Sequence, residues 1–166
     1  MNLHALLLAR AAADKPVRIG LIGAGKFASM FLAQARTTPG FHVVGIADLS
    51  VPRAADALRR TGWPAESYAA RGFDEALSKG STFLTDDAEA LLNSGGIDVA
   101  IEATGDPAAG IRHALIAVAA GKHMVMVNVE ADALAGPLLA ARASKAGLVY
   151  SLAYGDQPAL ISEQVD

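Results

Sequence analysis

Val17-Arg18-Ile19-Gly20-Leu21-Ile22-Gly23-Ala24-Gly25-Lys26-Phe27-Ala28 decides how this chain folds. A mostly apolar run enters a glycine turn and leaves it as a helical pattern. That order of strand, Gly-x-Gly-x-x-Ala and helix brings bare main chain up to a pyrophosphate. Gly23 is expected to allow the tight turn. Gly25 has no Cβ, so a diphosphate can approach the backbone there. Ala28, in place of a third glycine, still lets helix and strand pack closely. The start of the helix points free N–H groups and a positive dipole end at the phosphates. Gly23, Gly25, Lys26, Phe27 and Ala28 are therefore the first candidate cofactor-binding residues.

The next apolar run, Phe41 to Ala47, ends on Asp48, 23 residues beyond Gly25. An acid near that distance is where an adenosine ribose finds a hydroxyl acceptor. A carboxylate there favours an unphosphorylated ribose, because it repels a 2′-phosphate. Ser50 and Arg53 lie just beyond and are placed to hold such a phosphate instead. These residues leave NAD and NADP open.

Working outward, strands and helices alternate. Strands are expected at 17–22, 41–47, 83–84, 97–103, 124–127 and 148–152. The first long helix is expected over 26–37, with Phe27, Met30, Phe31 and Gln34 on one face. Pro52 starts another, tolerated in a first helical turn. Asp106-Pro107 caps and opens a third, with Ile111, Leu115 and Val118 as its buried stripe and Gly121 as its stop. Gly136-Pro137 is expected to begin the last. Residues 1–15 form a short amphipathic N-terminal helix. Residues 62–82 are longer than a normal crossover connection and read as an insertion. The expected fold is α/β: a Rossmann-type doubly wound parallel sheet of about six strands with helices on both faces, one domain over 1–166. Its ligand should lie at the carboxyl ends of the strands, near the switch point between the first and fourth.

Composition limits the function classes. The 166 residues are 52% apolar with a net charge of −3, so no basic field marks nucleic acid as a partner. There are no cysteines, which excludes thiol catalysis and disulfides and fits a cytoplasmic protein. No apolar run is long enough for a membrane span.

At the carboxyl end of the fourth strand, Thr104 and Gly105 follow Glu102 and are placed to orient the nicotinamide ribose or ring. Glu102 is the odd residue in an apolar strand, either at its exposed end or turned into the crevice. Asn128, Glu130 and Asp132 follow the fifth strand. They suit a divalent cation, an acid or base, or a substrate hydroxyl. Tyr154, Asp156 and Gln157 follow the sixth. Asn128, Glu130, Tyr154 and Asp156 are the candidates for the catalytic, substrate-facing side. The four histidines have no metal-ligand partner at useful spacing and read as surface or boundary residues.

These residues carry a family resemblance. The Val17 to Phe27 run with Glu102-Ala103-Thr104-Gly105 resembles the nucleotide-binding half of homoserine dehydrogenase. Gly121-Lys122-His123-Met124-Val125 is similar to the fifth strand of that enzyme and of the glucose–fructose oxidoreductase group. Met126 to Asp132 and Tyr150 to Pro158 resemble the 1-deoxy-D-xylulose 5-phosphate reductoisomerase-like proteins, the SAF-domain oxidoreductases. The last resemblance implies NADPH, a divalent metal and a phosphorylated ketose. Two departures remove a cation that would polarise a carbonyl: Val129 stands where homoserine dehydrogenases carry a lysine, and Asn128 where the glucose–fructose oxidoreductase group does.

The expectation is thus the NADP- or NAD-binding domain of an oxidoreductase that passes hydride to or from a small-molecule substrate. A reductoisomerase-like reduction of a phosphorylated ketose comes first. The alternatives are a homoserine dehydrogenase-like enzyme and a non-catalytic NAD(P)-sensing module. With no second domain before the end at Asp166, the chain is expected to be a fragment, inactive alone, of a homo-oligomeric protein.

Overall fold

Local chemistry places the elements. The computed structural model describes residues 2–153. Strands β1 (Val17–Ile22), β2 (Phe41–Ala47), β3 (Phe83–Thr85), β4 (Val99–Glu102), β5 (His123–Met126) and β6 (Tyr150–Leu152) alternate with helices. The helices are α1 (Leu3–Ala12), α2 (Lys26–Ala35), α3 (Val51–Arg60), α4 (Phe73–Lys79), α5 (Ala88–Asn93), α6 (Pro107–Ala119) and α7 (Val129–Lys145). The strands form one parallel sheet in the order β3-β2-β1-β4-β5-β6, with β1 and β4 at its centre. This is the doubly wound Rossmann order, and it puts the switch point between β1 and β4.

Each face of the sheet carries its own core. Ala28, Leu32 and Ala35 of α2 join Ala54, Ala57 and Leu58 of α3 over Ile19, Leu21, Val43 and Ile46. On the opposite face Leu91 and Leu92 of α5, Ala114 and Ala117 of α6 and Leu139 of α7 cover Val44, Ala100, Met124 and Met126. Fully burying a leucine such as Leu32 contributes about 1.5–3 kcal/mol.

Three expectations need correction. The buried stripe of α2 is Ala28, Leu32 and Ala35, while Met30 and Gln34 are exposed. On α6 it is Gly110, His113, Ala114 and Ala117, with Ile111, Leu115 and Val118 half-buried. In both helices most of the inward residues are small, which lets the helix axis sit close to the sheet, with Leu32 and His113 the larger exceptions. Third, α7 begins at Val129 and runs through Pro137. Asn128 caps it, and Glu130 and Asp132 in its first turn complement the dipole, so the helix is already under way before Pro137, which removes one interior bond.

Residues 62–82 are stitched to the domain. Trp63 Nε1 donates to the Leu32 carbonyl at 3.0 Å, and Thr82 Oγ1 donates to the Val43 carbonyl at 2.7 Å. The Phe73 and Phe83 rings meet edge to face, 5.0 Å apart.

Candidate functional site

At the carboxyl ends of the strands lies a crevice of about 640 Å³, lined by Gly23, Ala24 and Gly25, by Asp48 and Arg53, and by Ala103 and Thr104. The three loops predicted to meet do meet. Main-chain bonds lock them: Gly23 donates to the Ala47 carbonyl and Ala103 to the Ile22 carbonyl, both at 2.8 Å.

The two glycines do different jobs. Gly23 is buried at φ 95°, and a Cβ there would lie 2.6 Å from the Ala103 carbonyl oxygen. Only glycine fits. Gly25 has an ordinary φ of −81°, and a Cβ there would meet nothing within 4 Å. That space opens into the crevice. Gly25 is also the N-cap of α2 and gives no side-chain cap bond, so no side-chain cap blocks the helix's first N–H groups. Ala28 is fully buried against the sheet, as close packing of helix and strand demands. Lys26 is exposed in the first turn, and Phe27 is half-buried in the α2–α3 core.

Asp48 departs from a free ribose acceptor. Its side chain is 1% exposed and is already engaged by its own chain. One carboxylate oxygen accepts from Ala24 N at 2.7 Å, and the other from Ser50 N at 2.8 Å. Arg53 closes on both oxygens, through Nη2 at 2.7 and 2.9 Å and Nε at 3.0 Å.

Glu102 neither ends the strand in solvent nor turns into the crevice. It is fully buried beneath the β4–α6 turn. Its Oε1 accepts from the Thr104 hydroxyl and lies 3.3 Å from His113 Nδ1, while Oε2 has no hydrogen-bond partner among the described residues. Thr104 lines the crevice with its hydroxyl turned down onto this carboxylate. Gly105 makes the turn at φ 77° and stands beside the lining residues. His113, read from sequence as a boundary residue, is 5% exposed, lines the crevice and contacts Glu102. The sequence signal for it was the acid in an apolar strand, since a buried carboxylate needs a partner.

The expected substrate side is only partly brought together. Asn128 is buried and uses both ends of its amide within the fold. Its Oδ1 accepts from Ala131 N at 3.0 Å, and its Nδ2 donates to the Asp106 carbonyl at 2.8 Å. Glu130 is exposed on the first turn of α7. Asp132 accepts from the Tyr150 hydroxyl at 2.8 Å; burial first, and then this carboxylate, hold the phenol well above its ordinary range. Tyr154, Asp156 and Gln157 lie outside the described residues. Among the described residues no cluster of three or more acidic or histidine side chains is placed to hold a metal ion. No helix among them is long and apolar enough to cross a membrane.

Comparison with known proteins agrees with this geometry. The profile of an oxidoreductase family with an NAD-binding Rossmann fold, Gfo/Idh/MocA, matches residues 17–128, more than half of the chain. Of the resemblances noted in the sequence, it is the one to the glucose–fructose oxidoreductase group that this match supports, rather than homoserine dehydrogenase or the reductoisomerases. No curated protein matches the chain. Among solved structures, myo-inositol dehydrogenase from Lactobacillus casei, in complex with NAD(H) and myo-inositol, superposes with a TM-score of 0.65 at 18% identity, over 91% of this chain and 41% of that one. Biliverdin reductase from Synechocystis sp. PCC 6803, in complex with biliverdin and NADP+, gives 0.62 at 22% identity, over 84% and 38%. An NAD-binding oxidoreductase from Klebsiella pneumoniae gives 0.61 at 20% identity, over 90% and 38%. The chain thus spans about two fifths of the length of these structures, and at such identities the likeness is one of fold.

Proposed function

We propose, for a chain that belongs to the Gfo/Idh/MocA oxidoreductase family with its NAD-binding Rossmann fold, that it is the dinucleotide-binding part of an NAD(P)-dependent oxidoreductase. The observation that carries this is the open space at Gly25, beside the uncapped start of α2 and inside the crevice at the sheet's switch point. A cradle that any side chain would fill, faced by main-chain donors, suits a diphosphate. Ala24, Gly25 and Lys26 would hold the phosphates, with Asp48 and Arg53 at the adenosine end. Ala103 and Thr104 would lie at the nicotinamide end.

When bound, the nicotinamide supplies the hydride chemistry. This chain's residues place it. The Glu102–Thr104–His113 cluster fixes the β4–α6 turn from below, so the turn's main chain is preorganised against the ring. A small-molecule substrate would approach from the ends of β5 and β6. A phosphorylated ketose as that substrate is a finer reading, supported by the resemblance of Met126 to Asp132 and Tyr150 to Pro158 alone. The same reading carries a cytoplasmic location, in keeping with the absence of cysteine, and a homo-oligomeric whole protein.

The test is titration of the full-length protein with NADH and NADPH, followed by nicotinamide fluorescence. Binding of at least one below millimolar concentration is expected. If neither binds, the proposal fails.

A further inference from the structure

We infer that Asp48 anchors Arg53 rather than the adenosine ribose, and that Arg53 is thereby preset to receive a phosphate on the ribose 2′ position. This rests on the dinucleotide reading above and settles which dinucleotide the crevice takes. A carboxylate offers about four lone-pair sites. Those of Asp48 already meet Ala24 N, Ser50 N, Arg53 Nε and Arg53 Nη2. The side chain is almost wholly buried, so a ribose hydroxyl would have to displace main-chain donors of the glycine corner to reach it. The carboxylate joins that corner to the start of α3, and this accounts for its position without a ligand.

Arg53 completes the case. It sits in the first turn of α3, its side chain is 56% exposed, and it lines the crevice. One edge of its guanidinium, Nε and Nη2, lies against Asp48. Its Nη1 has no acceptor among the described residues. A guanidinium clamped along one edge keeps a planar pair of donors for an anion and loses little rotamer freedom in binding it. The ion pair also neutralises the charge by which Asp48 would repel a phosphate. The other arginine lining the crevice, Arg112, lies on α6, 3.9 Å from Glu89. It is Arg53, beside β2, that stands at the ribose end.

The experiment titrates the full-length protein, and its Arg53→Gln and Asp48→Asn variants, with NADPH and NADH. Adenosine 2′,5′-bisphosphate and 5′-AMP serve as fragments that isolate the same end of the cofactor. The unaltered protein should bind NADPH at least about tenfold more tightly than NADH, the effect of one or more charge-assisted hydrogen bonds. Arg53→Gln should abolish that ratio, with NADPH losing at least about tenfold more affinity than NADH. Asp48→Asn, which frees Arg53, should weaken NADPH and the bisphosphate by a larger factor than it weakens NADH and 5′-AMP. The inference is overturned if Arg53→Gln leaves the NADPH-to-NADH ratio unchanged, or if folded Asp48→Asn loses about tenfold in NADH affinity, as a true ribose ligand would. Should Asp48→Asn fail to fold, judged by circular dichroism, the Arg53→Gln ratio and the fragment titration decide alone. Loss of all binding by the unaltered protein would instead sink the dinucleotide reading beneath it.

Discussion

Adding one methyl group at either glycine of the turn should give opposite results. At Gly25 the methyl of Gly25→Ala enters space where, apart from its chain neighbours, no atom of the described residues lies within 4 Å, at an allowed backbone angle. The stability cost is limited to the N-cap preference of glycine over alanine, well under about 1 kcal/mol. The methyl does, however, occupy the place where a diphosphate meets the main chain. Losing one or two charge-assisted hydrogen bonds, at about 1.5–3 kcal/mol each, weakens dinucleotide binding by about tenfold to more than a thousandfold. At Gly23 the balance reverses. A Cβ there overlaps the rigid Ala103 carbonyl, 2.6 Å away, at φ 95°. The left-handed backbone alone costs about 1–2 kcal/mol, and forcing two loops apart adds about 1–3 kcal/mol. For a chain of this size that lowers the melting temperature by roughly 4–20 °C. Thermal melts followed by circular dichroism, with cofactor titration of each variant, read both effects. The reasoning is refuted if Gly25→Ala binds cofactor like the unaltered protein, or if Gly23→Ala melts at the unaltered temperature.

Two smaller outcomes test the surroundings of the site. Trp63→Phe removes the indole donor to the Leu32 carbonyl and should cost about 1 kcal/mol of stability, read as a shifted urea midpoint; an unchanged midpoint would mean that residues 62–82 are not stapled to α2 through that bond. Tyr150 holds its proton more tightly folded than unfolded, because burial and then Asp132 disfavour the phenolate. Its contribution is fully present below the ordinary phenol range near pH ~10 and is lost as pH rises beyond it, since the unfolded chain releases the proton first. Tyr150→Phe should therefore flatten the fall in stability between about pH 9 and pH 11, and an equally steep fall in that variant would refute the cause given.

The turn and the sheet were legible because they depend on local rules. Glycine at a positive φ, Asp106 and Pro107 at a helix start, and apolar runs at strand length each act within a few residues. The structure puts β1, β2 and the first residue of α6 where the sequence does. What was misread depends on how close two elements lie. Phe27, Met30 and Phe31 share a face by spacing, yet Ala28, Leu32 and Ala35 take the inward face of α2, with Phe27 and Phe31 half-buried at its edge and Met30 exposed. Pro137 looks like a helix start, but Asn128 binds Ala131 N and the Asp106 carbonyl together, and so starts α7 eight residues earlier.

The polar residues show the same limit more sharply. Asp48, Glu102 and Asn128 all stand out as polar residues at strand ends; Asp48 and Asn128 were read as facing a ligand, and Glu102 as either solvent-exposed or turned into the crevice. All three are buried and bound to their own chain. Some of their partners are local, as Thr104 is to Glu102, Ala131 to Asn128 and Arg53 to Asp48, but Ala24, the Asp106 carbonyl and His113 come from other elements that the fold brings alongside. A polar residue at the carboxyl end of a parallel strand has two uses, to touch the ligand or to hold the loop that does, and composition is the same for both. Burial separates them. Here the side chains of Asp48, Glu102 and Asn128 hold the loops, while the crevice is lined by Gly23 to Gly25, Ala103 and Thr104 together with Arg53, Arg112 and the acids Asp86, Asp87 and Glu89. A site built that way tolerates sequence drift, since backbone donors persist under substitution.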